Sequence, residues 1–209
     1  MSWRKWGIRV AAVLAVPVAI VLVLVAVDVL RAPGQLQGDD LRFQIRPHRQ
    51  AGLWDDLSYL PGDPAVHLLG LGDDIAYRRT LADFVRVRPG KVQIFGPVLE
   101  NLFGKVQYEL AAGSANDPDP VRRSILLNLA GATTLANFTS DPTENGNNLR
   151  KAIADFRTAI DLDSTNTDAK VNLELALRNA KAANIPGTGP DSGASQGKVS
   201  GQGRSGTGY

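Results

Sequence analysis

With 209 residues and no cysteine, the chain has no disulfide, thiolate nucleophile or Cys-based zinc or iron–sulfur site open to it. Its 23 Lys and Arg are nearly matched by 21 Asp and Glu, and between Arg31 and Gly113 ten basic side chains accompany ten acidic ones. That balance leaves no concentrated cationic face for phosphates, so nucleic acid is not expected as a partner.

Residues 1–9 form a short basic tail carrying Arg4, Lys5 and Arg9, with Trp3 and Trp6 suited to a membrane–water interface. From Val10 to Val27 all eighteen residues are Ala, Val, Leu, Ile or Pro. In a helix that run covers about 27 Å, close to the ~30 Å hydrocarbon core, and it has no polar stripe to face a protein core. Residues 10–30 are therefore predicted to be a single transmembrane anchor. Pro17 marks a plausible kink and Asp28 the water-facing edge. A cleaved signal peptide is the competing reading. It is disfavoured because the apolar run is longer than an h-region and Ala32, the best small residue after it, is followed by Pro33. The basic tail places the N-terminus in the cytoplasm and the soluble domain on the extracytoplasmic side.

Residues 31–38 read as a linker turning at Pro33-Gly34, and Leu41, Phe43 and Ile45 alternate as in a short half-buried strand. Residues 39–118 make up a helical region of unknown type. Leu53, Trp54, Leu57 and Leu60 have helical spacing up to Pro61-Gly62. Tyr77, Leu81, Phe84 and Val85 predict an amphipathic helix over 73–88, with Asp73 and Asp74 as caps and Pro89-Gly90 as its end. Val92 and Ile94 suggest a brief strand, and Pro97 opens a helix to about Ala112 with Leu99, Leu102, Phe103, Val106 and Leu110 on one face.

Residues 119–183 are the most regular. Asp119-Pro120 opens a helix containing Ile125, Leu129, Ala132 and Ala136, Thr139 to Asn148 read as a loop, and Leu149, Ala152, Ile153, Phe156, Ala159 and Ile160 give the strongest helical pattern. Leu173, Ala176, Leu177 and Ala180 give another helix from about Asp168. Small residues at Ala152 and Ala159 on either side of Phe156 allow two helices to approach while the ring fills the gap. That pattern, with Asp161-Leu162-Asp163 after it, resembles a tetratricopeptide repeat. The run Asn172-Leu173-Glu174-Leu175-Ala176-Leu177 is similar to the last repeat of bacterial membrane-linked repeat proteins that accompany MoxR-type ATPases and von Willebrand A domain proteins. The resemblance implies repeat packing through Leu129, Ala152, Phe156, Ala159, Leu173, Ala176 and Leu177, and a protein partner of that kind. After Asn184, eight glycines and few apolar side chains predict a disordered tail over 184–209.

No catalytic or cofactor constellation stands out. Asp161, Asp163, Asn166 and Asp168 suit a turn and a cap better than a calcium loop, because Asn166 stands where that loop needs glycine. Gly70-Leu71-Gly72 lacks the third glycine of a dinucleotide loop, and His48 and His67 have no ligand spacing. The acidic doublets Asp39-Asp40, Asp55-Asp56 and Asp73-Asp74 fit loop solvation and capping. The expected chain is mostly α: one transmembrane helix, a small helical tetratricopeptide-like domain and a disordered tail. It is expected to act as a membrane-anchored interaction module or scaffold, without enzymatic activity, cofactor or metal. The alternative is a small-ligand receptor or enzyme using residues 41–89.

Overall fold

A computed structural model describes residues 3–186 apart from 48, 50, 56, 89–96 and 137–140, with side chains from Ala15 onward. The described residues are mostly helical, and no strand occurs among them. The strand expected at Val92–Ile94, His48 and the tail from Gly187 lie outside the described residues. The chain divides into two compact units, Met1–Leu126 and Leu127–Tyr209.

The first unit begins with α1, Trp3–Ile45, a single helix that runs through the whole apolar segment and beyond it. Two expectations fall here. The linker at 31–38 does not form, and Leu41, Phe43 and Ile45 are helical rather than extended. Proline forfeits one backbone donor, and Pro33 is solvent-exposed, so the cost is limited; on either side of it Ala32 and Leu36 are buried and hold the turn in place. Asp28, Ala32, Leu36, Asp39 and Phe43 recur at intervals of three or four, and this stripe packs against the rest of the unit.

The partner of that stripe is residues 51–60, where a helix was expected and turns are found. Gly52 at φ 76° and Trp54 at φ 55° adopt left-handed backbone, which ends any helix through them. Leu53, Trp54 and Leu57 are nevertheless buried with Leu36, Ile75 and Ala82, and Phe43 meets Trp54 edge-on at 5.5 Å between ring centroids. Next comes a helix not foreseen from the sequence, α2, Pro64–Leu69, which packs on α1 and closes at Gly70 with φ 64°. Two longer helices, α3 (Gly72–Val87) and α4 (Pro97–Asn116), pack against each other. Leu71, not Asp73 or Asp74, is the N-cap of α3; both acids lie in its first turn, and Asp74 pairs with Arg78 and Arg122. Gly113 allows close approach of the next helix: a Cβ there would stand 2.6 Å from Leu126 Cδ1.

That next helix, α5 (Pro120–Ala136), starts where Asp119 Oδ1 accepts the Val121 N–H, and it crosses from the first unit into the second. In the second unit α6 (Pro142–Leu162) and α7 (Thr167–Ala182) are joined by residues 163–166 and pack together. The loop expected from Thr139 to Asn148 is overturned from Pro142 onward. Asp141 Oδ1 accepts the Thr143 N–H, Pro142 takes the first position and Glu144 sits in the first turn, so the helix begins two turns earlier than its apolar pattern does.

Candidate functional site

Three carboxylates of α1, two of them on its buried stripe, organise the first unit. Asp28, 1 % exposed, accepts the Tyr59 N–H through Oδ2 at 2.9 Å. Three turns later Asp39 accepts the Trp54 N–H at 2.9 Å and the Arg42 guanidinium at 2.9 Å. Its neighbour Asp40 accepts the Trp54 indole N–H at 2.9 Å and two donors of Arg78 at 2.8 and 3.1 Å. The turns at 51–60 are tied to α1, whose side chains take the donors of Trp54 and Tyr59. Burial works against the charge of Arg78, but hydrogen bonds to Asp40 and Asp74 outweigh it and raise its pKa above the ordinary value. Asp74 also binds Arg122 at 2.7 Å, and Asp117 meets the same guanidinium at 3.0 Å. Each of these carboxylates accepts a hydrogen bond or an ion pair within the first unit. Asp28 was legible only as an interfacial boundary, whereas the helical spacing from Asp28 to Phe43 was the signal for its larger role.

An open cleft of about 780 Å³ lies beside the Trp54 turn, lined by Arg49, Arg79, Arg86 and Lys105 with Asp55 and Asp83 among them. Arg79 is held by Asp55 at 2.8 Å, and Asp83 binds Lys105 at 2.6 Å and Arg86 at 3.3 Å. The hydrogen bond from Lys105 to Asp83 raises the lysine pKa against the smaller cost of burial. Two carboxylates thus face four cations in the cleft, with Asp83 shared between Arg86 and Lys105. His67 does not line it and is exposed on α2. Among the described residues no group of three or more His, Asp or Glu is placed to hold a metal.

In the second unit Ala152, Phe156, Ala159 and Ala176 are fully buried, while Leu129, Leu173 and Leu177 are half-buried. Phe156 lies under Gly131 of α5, where a Cβ would come within 2.6 Å of its Cε1. Asn172 Nδ2 donates to Asn128 Oδ1 at 2.8 Å, which links α7 to α5 by a polar contact as well. The acidic turn before α7 is occupied locally: Asp163 Oδ1 accepts the Thr165 N–H and hydroxyl, and Asn166 Oδ1 caps the Ala169 N–H. Those Thr165 hydrogen bonds hold the Asp163 carboxyl below its usual pKa. On the outer side of α7, Val171 and Leu175 are exposed one turn apart. No protein-family model, curated protein or solved structure matches this chain.

Proposed function

We propose that the chain is a membrane-anchored protein-interaction module, a scaffold whose helical domain is accessory to a larger membrane-associated assembly. The observation that carries this reading is the division of α1. Its stretch from Val16 to Val23 leaves large apolar side chains in the open, with Leu22 63 % exposed, while its continuation from Asp28 to Phe43 is the central packing element of the first unit. A helix from Ala15 to Ile45 is long and apolar enough to cross a membrane. Cleavage at Ala32 would take Asp28 away from Tyr59 and cut the helix on which the unit is assembled, which supports an anchor retained in the mature protein.

The packing of α5, α6 and α7 around Phe156 is compatible with a tetratricopeptide-like arrangement, and the exposed Val171 and Leu175 offer the partner an apolar contact. A MoxR-type ATPase or von Willebrand A domain protein is the partner class that the sequence likeness suggests, with the domain on the extracytoplasmic side. A test is in-cell cross-linking of the full chain with and without Val171→Asp and Leu175→Asp. Both positions are exposed, so folding is retained. The reading expects a defined cross-linked partner to be lost in the double variant, and it fails if the adducts are unchanged or absent in both.

A further inference from the structure

We infer that the segment from Tyr59 to Leu69 rests on the surface of the phospholipid bilayer, with Tyr59, Leu68 and Leu69 at the lipid interface. This deepens the anchor reading of α1 and rests on it. The apolar run stops at Val27, about 27 Å of helix from Val10, so the edge of the hydrocarbon falls at the turn that begins with Asp28. A carboxylate at that depth is ordinarily turned to headgroups or water. Here it is 1 % exposed because the chain around Tyr59 covers it and donates a backbone N–H to it. The domain therefore starts at the boundary itself.

One turn on, the Arg31 guanidinium lies 4.3 Å from the centre of the Tyr59 ring. A tyrosine and an arginine together at headgroup depth suit both the aromatic preference for the interface and the phosphate layer. From Tyr59 the chain enters α2, whose Val66 joins the cluster around Leu36, two turns or about 12 Å beyond Asp28. With that side turned inward, Leu68 stays 67 % exposed and Leu69 38 %, and Tyr59 is 63 % exposed. Between Leu57 and Leu71 the only Asp, Glu, Lys, Arg or His residues are Asp63 and His67. Low charge, exposed leucines and attachment through Tyr59 to Asp28 and Arg31 at the end of the apolar run make lipid the occupant of this surface.

The absence of cysteine allows single labels on the full chain. Leu22→Cys, Leu41→Cys and Leu68→Cys variants, each carrying an environment-sensitive fluorophore, are reconstituted in phosphatidylcholine vesicles containing phosphatidylglycerol, with and without lipids bearing a nitroxide near the headgroup. Leu22 and Leu68 labels should show blue-shifted emission, and the Leu68 label should lose intensity to the nitroxide lipid. The Leu41 label, about 21 Å of helix beyond Val27, should report water. A Leu22 label in water overturns the anchor reading itself. A Leu22 label in lipid with Leu68 in water leaves the anchor standing and overturns the inference. A blue shift at Leu68 without nitroxide quenching also overturns it, because protein, such as a second copy, would then cover the segment. Equal quenching at Leu41 does so as well, since the contact would not belong to this segment.

Discussion

Phe156 has no exposed surface, and its ring occupies the space that a side chain at residue 131 would need. Phe156→Ala should therefore cost about 3–5 kcal/mol, from lost burial and the cavity left behind. Gly131→Ala should cost about 1–3 kcal/mol by overpacking, less the small gain in helix propensity. Because both act through one contact, Gly131→Ala should be close to neutral once Phe156 is already alanine. Urea titrations of the full chain in detergent measure all three; a cost below about 1 kcal/mol for Phe156→Ala would remove the ring from the core.

Tyr77 makes a second prediction at this scale. Burial raises its pKa above 10.0, the nearby Arg122 opposes the rise, and Asp117 and Asp119 add to it. A raised pKa means the folded state holds the proton more tightly. The stability this contributes is complete below the unfolded value and is lost as pH rises through the folded one. Lys105, raised by Asp83, has the same sign. Melting temperature should thus fall as pH rises above about 10, and Tyr77→Phe should reduce the slope. An unchanged slope in that variant would show that the phenol is not the group responsible.

Among the elements, α1 has the sharpest consequence. Asp28 and Asp39 must point the same way to hold Tyr59 and Trp54, and a single alanine inserted after Gly34 rotates one relative to the other by about 100°. Unit 1 should lose its cooperative transition in Trp54 fluorescence, read in a chain with Trp3→Phe and Trp6→Phe. The same insertion after Val21 should leave it intact, since the neighbouring side chains there are exposed. Equal effects from both insertions would mean that the carboxylate register is unimportant.

Helices marked by long apolar periodicity, such as those around Tyr77 and Phe156, were legible in the sequence. What escaped was structure specified by polar contacts at a distance. Leu53, Trp54 and Leu57 have helical spacing, yet the chain turns there because Asp39 and Asp40 take the donors of Trp54. No window of local sequence contains both partners. Pro33-Gly34 misled for the opposite reason, since tertiary packing of Ala32 and Leu36 overrides a local turn signal. The start of α6 was readable after all, in the order Asp141, Pro142, Glu144. The exposed Leu68 had no signal of its own.

For the whole molecule, the apolar run predicts that the full chain sediments with membranes and resists extraction by carbonate or high salt. Release of a soluble form beginning near Ala32 would overturn the anchor, and would have to be reconciled with a domain built on the residues removed. A chain held by an unbroken helix also lacks the slack that a flexible linker supplies. In a bilayer thinner than the apolar run the helix relieves the mismatch by leaning. With Asp28, Ala32 and Leu36 all locked into the first unit, the lean is not absorbed at the membrane surface. With α1 as the proposed anchor, it passes into the folded unit, and lipid thickness then sets the angle at which that unit meets whatever stands beside it.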